Sequence, residues 1–446
     1  MPESQAISFA VFTADRPELA AGCLSSYLSL PSLPASVIVM DDSRDEANVA
    51  RTAKVTRNIS ARYAGRGERR RYAAELARVG ILEDVAAFCL LGPDGDWFTA
   101  GASRNAALLD TVGEKIFMAD DDTRGRTVVQ PEHNTNVRLG GHEDPTDIRF
   151  FETRSAAKLA AEWKQVDLFG QVESFLGAGQ GIIRLASCGV IGDSGFYSPA
   201  HLLWMASPET TARLRESDAV FSIALHSREV IRLVPEPTIT RGTVCMATTL
   251  GLDNRQLLPP FLPVGRNEDG LFGNLMLRCF PEACTVHLPF GVSHEAPENR
   301  PYHRLPHEPQ TIRLSELIIL LLSACTADDF RALGAHLVEV SSSPERFVQY
   351  ARQIVAGARS ALLRKIEERW AAFQPMSPLW RTQTDTLRTR LQELIDSPDC
   401  WQPLELQDAR ETARIVALTG KLIAWWPDIV EAAGHLRAKG IRVSRD

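Results

Sequence analysis

Apolar positions follow two regimes along the chain. Up to about residue 310 they form short runs that stop at turn residues, and beyond it they recur every three or four residues. Ile7 to Phe12 is one such run. It ends at Thr13-Ala14-Asp15-Arg16-Pro17, and Glu18 to Leu30 follows with helical spacing. Val37 to Met40 ends in Asp41-Asp42-Ser43, and Lys115 to Ala119 ends in Asp120-Asp121-Asp122. Strand-like runs alternating with helical segments predict βαβ units, because parallel strands need a crossover between them. Ligands of such sheets sit outside the carboxyl ends of the strands. The acidic ends of the three runs are therefore expected to face one crevice.

Between 125 and 250 the pattern is irregular, with glycine turns at Gly177-Ala178-Gly179-Gln180-Gly181 and Gly192-Asp193-Ser194-Gly195, and mixed strands and loops are expected. Helices are predicted over Leu314 to Cys325, Asp328 to Val340, Pro344 to Phe373, Leu379 to Ile395 and Ala409 to Ala438. The proline-rich stretch from Pro297 to Pro309 is the expected boundary. The division reads as an α/β part over 1–309, with halves of about 1–125 and 126–309, and a helical domain over 310–446 that serves oligomerisation, as a homodimer, or acceptor binding. Five tryptophans of that domain, Trp370, Trp380, Trp401, Trp425 and Trp426, read as core or interface.

Composition narrows the function classes. The 446 residues are 44% hydrophobic and 24% charged, which fits a folded globular chain. A formal charge of −7 disfavours nucleic acid as a partner, since phosphate binding needs a basic face. The run Arg66, Arg69, Arg70 and Arg71, with Glu68 and Glu75 among it, reads as a solvated helix face. The first twelve residues lack the pattern of a secretory signal, and Leu317 to Ala324 is too short to span a bilayer. No transmembrane segment and a cytoplasmic location are expected. Eight scattered cysteines without a CxxC pair read as reduced thiols.

Three adjacent carboxylates at a strand end repel one another unless a cation or solvent screens them. Asp120-Asp121-Asp122 is thus either a site for a hard divalent ion with a diphosphate or a solvated acidic turn. Upstream, Ala100-Gly101-Ala102-Ser103-Arg104-Asn105 opens an apolar helix, where an arginine and an amide can bind an anionic or polar ligand. Asn267-Glu268-Asp269 places acids in the first turn of a further helix. A Walker loop and a well-spaced GxGxxG are absent, because Gly177, Gly179 and Gly181 have the wrong spacing. A zinc module over Cys279, Cys284, His287 and His294 is a competing reading whose spacing fits no common zinc pattern.

Taken in order, the first strand with its Thr-Ala-Asp-Arg-Pro loop, Val-Ile-Val-Met-Asp-Asp-Ser, Ala-Ser-Arg-Asn-Ala-Ala-Leu, Met-Ala-Asp-Asp-Asp and Gly265-Arg266-Asn267-Glu268-Asp269-Gly270 resemble the family 2 glycosyltransferases of GT-A fold over residues 6–295. The resemblance implies a Rossmann-like mixed sheet and a nucleotide-diphospho-sugar donor, with UDP as the favoured nucleotide and the acceptor unknown. It implies that Thr13, Asp15, Arg16, Asp41, Asp42, Arg104, Asn105 and Asp121 form the donor pocket. Asp120 and Asp122 would hold Mn²⁺ or Mg²⁺ with the diphosphate, and a late histidine, His294 in preference to His287, would complete the metal site. Asp269 would be the general base and Glu268 would orient the acceptor, with inversion at the anomeric carbon. Retaining GT-A enzymes share the metal aspartates, and a non-catalytic sugar-nucleotide binder would keep the same fold. The chain departs from a minimal member in an insertion at 57–98 and in a gap of 268 − 122 = 146 residues between Asp122 and Glu268. Gly141-His142-Glu143-Asp144 and Gly192-Asp193-Ser194-Gly195, within that gap, are expected to help build an acceptor pocket.

Overall fold

A computed structural model describes residues 7–130, 136–141, 144–196, 199, 202, 206–241, 246–297, 302, 312–371, 377–406 and 408–445. The first apolar run becomes β1 (Ser8–Thr13), buried at every position, as befits a strand enclosed on both faces. Next come β2 (Ser36–Asp41), β3 (Arg62–Ala64) and β4 (Lys115–Asp120), then β5 (Thr123–Val129), β6 (Arg138–Leu139), β7 (Asp147–Phe151) and β8 (Glu162–Trp163). The remaining strands are β9 (Ile183–Asp193), β10 (Glu229–Leu233), β11 (Thr238–Thr240), β12 (Thr249–Asp253) and β13 (Cys284–His294).

They form a 13-stranded mixed sheet with the main order β3-β2-β1-β4-β12-β9-β13-β11-β6. β3, β2, β1 and β4 are mutually parallel, so the crossovers predicted from the sequence are present. β12 runs antiparallel to both β4 and β9, while β13 runs parallel to β9. The carboxyl ends of β1, β2, β4, β9 and β13 consequently share one rim. Helices cover both faces, and the expected α/β class with added C-terminal helices is observed.

One helix, Ala100–Asp110, is buried along almost its whole length because it starts with small residues. A Cβ on Gly101 would stand 1.8 Å from the carbonyl oxygen of Leu262, so only glycine lets the helix approach that segment. This approach carries Arg104 into the rim.

The helical periodicity after 310 is realised in helices Leu314–Ser323, Phe330–Val340, Pro344–Ala371, Pro378–Asp396 and Ala409–Ala438. Most of the expected boundary stretch lies outside the described residues. Four of these helices share one hydrophobic cluster with the sheet layer, where Leu317, Leu333, Phe347 and Trp426 join Val85, Phe88, Leu109 and Phe272, while helix Pro378–Asp396 packs in a separate cluster with Phe221. Trp370, Trp380, Trp401 and Trp426 are buried, and Trp380 stacks on Phe221 of the central region at 4.0 Å between centroids. Near the end of the chain, Arg445 exchanges both backbone hydrogen bonds with Tyr63, at 2.8 and 2.9 Å, and so covers the open edge of β3. Among the described residues no helix is long and apolar enough to cross a membrane.

A chain ending at residue 310 would expose the apolar faces that Leu317, Phe347 and Trp426 cover. Such a truncation is expected to lose cooperative thermal unfolding and to aggregate, as read by circular dichroism melting and gel filtration. A soluble fragment with a sharp transition would contradict this.

Candidate functional site

The rim built by the strand ends gathers most of the acids picked out in the sequence. Asp121 is fully buried; its Oδ2 accepts from Thr13 Oγ1 at 2.7 Å and its Oδ1 pairs with Arg16 Nη2 at 2.8 Å. Burial, and then the charge of Asp122, push the Asp121 carboxyl up to about 7 against the opposing pull of Arg16. Asp122 is also buried, with Oδ2 3.7 Å from Arg16 Nη1 and Oδ1 3.4 Å from His294 Nε2. The other ring nitrogen of His294, Nδ1, lies 2.6 Å from the backbone oxygen of Asp193. Burial alone would lower His294, but Asp122 outweighs it and the net shift is upward.

Arg104 links this cluster to a second one. Its guanidinium, 3% exposed, pairs with Asp120 Oδ1 at 2.7 Å and Glu268 Oε1 at 3.3 Å and donates to the Ala247 oxygen at 3.1 Å. Asp269 accepts from the amides of Ala247 (3.1 Å) and Gly270 (2.9 Å). Burial raises the pKa of both Glu268 and Asp269, and for Glu268 the adjacent Asp269 charge adds to the rise. Asn267, at φ 64°, turns the chain into helix Glu268–Cys279 and sets both acids at its start, a left-handed position that asparagine tolerates.

Other expected site residues turn inward. Asn105 is fully buried: its amide donates to the oxygens of Cys89 and Phe261, and its Oδ1 accepts from the Phe261 amide at 2.8 Å. Asn105, expected in the donor pocket, here clamps two segments of the chain together. Asp41 is likewise 1% exposed and bonded to the Ser43 amide and to Tyr63 Oη. Arg104, expected beside the donor, pairs with Asp120 and Glu268. Asp42 is held by Arg66, Arg69 and Thr99, and exposed Asp15 accepts from the amides of Arg44 and Asp45.

Arg69 overturns the reading of its segment as a solvated helix face. It is 0% exposed and donates to Leu90 O, Ser103 Oγ and Asp41 O as well as Asp42, whereas Arg70 and Arg71 are exposed as expected. The signal was present: Arg69, Tyr72, Ala73 and Leu76 share one helical stripe, and all are buried. Thr99 and Tyr63 were not singled out as site residues, and Asp193 was expected only in an acceptor pocket; nothing local in the sequence marks the three as partners of the rim.

The competing zinc set does not assemble. His287 and His294 stand seven residues apart on β13, roughly 23 Å at the usual rise per strand residue. His287 bonds to Thr240 Oγ1 at 3.1 Å, and burial pushes it down to about 4. Among the described residues no three His, Cys, Asp or Glu side chains are grouped closely enough to hold an ion by themselves. Of the segment expected to build an acceptor pocket, His142 and Glu143 lie outside the described residues. Asp144 pairs with the buried Arg232, which lines a small cavity with Ser187, Met246 and His287.

No protein-family model matches the chain, and no curated protein does. Among solved structures, it is similar to Mycobacterium tuberculosis glucosyl-3-phosphoglycerate synthase in complex with Mn²⁺, UDP and glucosyl-3-phosphoglycerate. That match has 12% identity and a TM-score of 0.31 and covers 67% of this chain and 73% of that one. The same enzyme with Mn²⁺, UDP and phosphoglyceric acid matches at 13% identity and a TM-score of 0.32, over 67% and 72% of the two chains. S. aureus TarS 1–349 matches at 13% identity and a TM-score of 0.36, over 87% of this chain and 90% of that one.

Replacing Asn105 with alanine leaves the buried Phe261 amide without its acceptor, so a stability loss of about 1–3 kcal/mol is expected in urea unfolding. A variant as stable as the wild type would show that the clamp is not what holds the two segments.

Proposed function

We propose that the protein is a glycosyltransferase of GT-A type that moves a sugar from a nucleoside-diphosphate donor, UDP first among them, to an acceptor hydroxyl with inversion. The observation that carries this reading is the pair Asp122 Oδ1 and His294 Nε2, buried and 3.4 Å apart at the end of the central strands. The carboxylate oxygen suits Mn²⁺ or Mg²⁺, and the imidazole nitrogen facing it favours a transition ion such as Mn²⁺ of the two. An ion held by one or two side chains and completed by phosphate oxygens is the usual arrangement with nucleotides. Asp122 and His294, with Asp120 beside them, are the residues that would hold it. When bound, the ion neutralises the charge that builds on the departing diphosphate.

The chain's own groups supply the rest. Arg16, 38% exposed and paired with Asp121, lies at the carboxyl end of β1, where an anionic donor would meet it. Asp269 takes the proton of the acceptor hydroxyl as the new carbon–oxygen bond forms, while the old anomeric bond breaks and its electron pair leaves with the diphosphate. The amides of Ala247 and Gly270 fix the Asp269 carboxylate for that step, and Arg104 holds Glu268 beside it. A raised pKa makes Asp269 a stronger base than an exposed aspartate.

Three outcomes are expected. UDP with Mn²⁺, at 100 times its dissociation constant, should stabilise the protein by about 2.7 kcal/mol in differential scanning fluorimetry, and Asp122→Ala should abolish the metal-dependent part. No metal-dependent shift from any of UDP, GDP or dTDP on folded protein would sink the reading. Asp269→Asn should lower kcat about 10²–10⁴-fold while leaving UDP binding intact. The wild-type rate should rise with pH as Asp269 loses its proton, with a midpoint above the ordinary aspartate range, because burial raises that pKa. A flat profile across that range, or an active Asp269→Asn, would remove Asp269 from the base role.

A further inference from the structure

The turn Gly192-Asp193-Ser194-Gly195 closes β9 directly beside the end of β13, where Gly192 stands in register with His294. A backbone oxygen can only accept, so the contact of 2.6 Å from His294 Nδ1 to Asp193 O requires the proton on Nδ1. In the neutral ring Nε2 then carries the lone pair, and it points at Asp122 Oδ1. Had Nδ1 met a donor instead, Nε2 would carry a hydrogen and could not bind a cation.

The turn is itself held in place. The Asp193 carboxylate, 3% exposed, accepts from the Gly195 amide at 2.7 Å and from Arg228 Nη2 at 2.9 Å. The Ser194 amide donates to the Arg228 oxygen at 2.8 Å. Gly192 has φ 106°, and a Cβ there would stand 2.4 Å from the His294 oxygen. Two strands therefore approach at that point more closely than any other residue would allow, and the approach brings the Asp193 carbonyl within reach of the ring.

We infer that the Gly192–Gly195 turn is a positioning device for the cation site: through the Asp193 carbonyl, anchored by the Asp193 carboxylate on Arg228 and Gly195, it fixes the tautomer and orientation in which His294 presents Nε2 beside Asp122. This rests on the metal reading above and extends it to residues that touch neither metal nor substrate. A hydrogen bond from the far nitrogen to a carbonyl or carboxylate is the usual support of a histidine ligand, and its loss weakens metal binding about 10–100-fold.

The test uses the full-length protein, with Mn²⁺ alone as the first probe and Mn²⁺ with excess UDP as the second, bound ion being read by electron paramagnetic resonance. Asp193→Ala should weaken Mn²⁺ binding about 10–100-fold, and adding it to His294→Ala should produce no further loss. In the metal-free wild type, at a pH high enough to leave the ring neutral, ¹⁵N shifts should place the His294 proton on Nδ1, and Asp193→Ala should mix the tautomers. A purely structural role would instead lower the melting temperature of the metal-free protein and multiply with the effect of His294→Ala, and that result overturns the inference. Should Asp193→Ala fail to fold, Asp193→Asn keeps an acceptor for Gly195 while removing the charge facing Arg228, and a smaller loss in the same direction is expected. If His294→Ala weakens Mn²⁺ binding and neither Asp193 variant does, this inference alone falls. If His294→Ala itself leaves Mn²⁺ binding unchanged, the metal reading falls and takes this one with it.

Discussion

Carboxylates packed at the end of a buried strand repel one another, and the structure is arranged around that repulsion. Asp120, Asp121 and Asp122 stand at the end of β4, and Glu268 and Asp269 come in from a helix start; the cations paired with this group include Arg16 and Arg104, with His294 beside Asp122. Desolvation makes each charge costly, and the raised pKa of Asp121, Glu268 and Asp269 expresses that cost. Such strain is tolerated where it has a use, and the divalent cation proposed above would relieve it.

The remaining architecture keeps these groups at fixed separations. Gly101 lets its helix sink against Leu262 so that Arg104 reaches both acids, and Asn105 ties the same helix to Phe261. Arg69 holds the loop after β2 through Asp42 and Asp41 O. Behind them, the C-terminal helices fill the same core as the helices of the sheet layer, and Arg445 covers the edge strand whose Tyr63 bonds Asp41. The helical segment therefore supports the first rim of the crevice from behind.

Patterns set by neighbours along the chain were legible in the sequence. Buried strands appeared as apolar runs, their acidic ends as loops, and the C-terminal helices as three- and four-residue spacing, with limits close to those observed. What was not legible depends on partners distant in sequence. The sequence reads Asn105 as a ligand group at a helix start and gives no sign that its side chain meets Phe261, 156 residues later. The sequence prefers His294 to His287 but shows no partner for either, and Asp193, 101 residues before His294, reaches it only through β9. Arg69 was hidden for a different reason: its charge outweighed the apolar stripe on which it lies, because a buried arginine is stable only when carbonyls and a carboxylate converge on it.

The central claim is that the buried rim of β4 and β13 holds a metal diphosphate. Crystals soaked with UDP and Mn²⁺, with diffraction collected at the manganese absorption edge, test it most directly. The account predicts one anomalous peak within coordination distance of an Asp122 oxygen and His294 Nε2, with the diphosphate completing its shell. A peak elsewhere, or nucleotide bound in the crevice with no metal between Asp122 and His294, would contradict it.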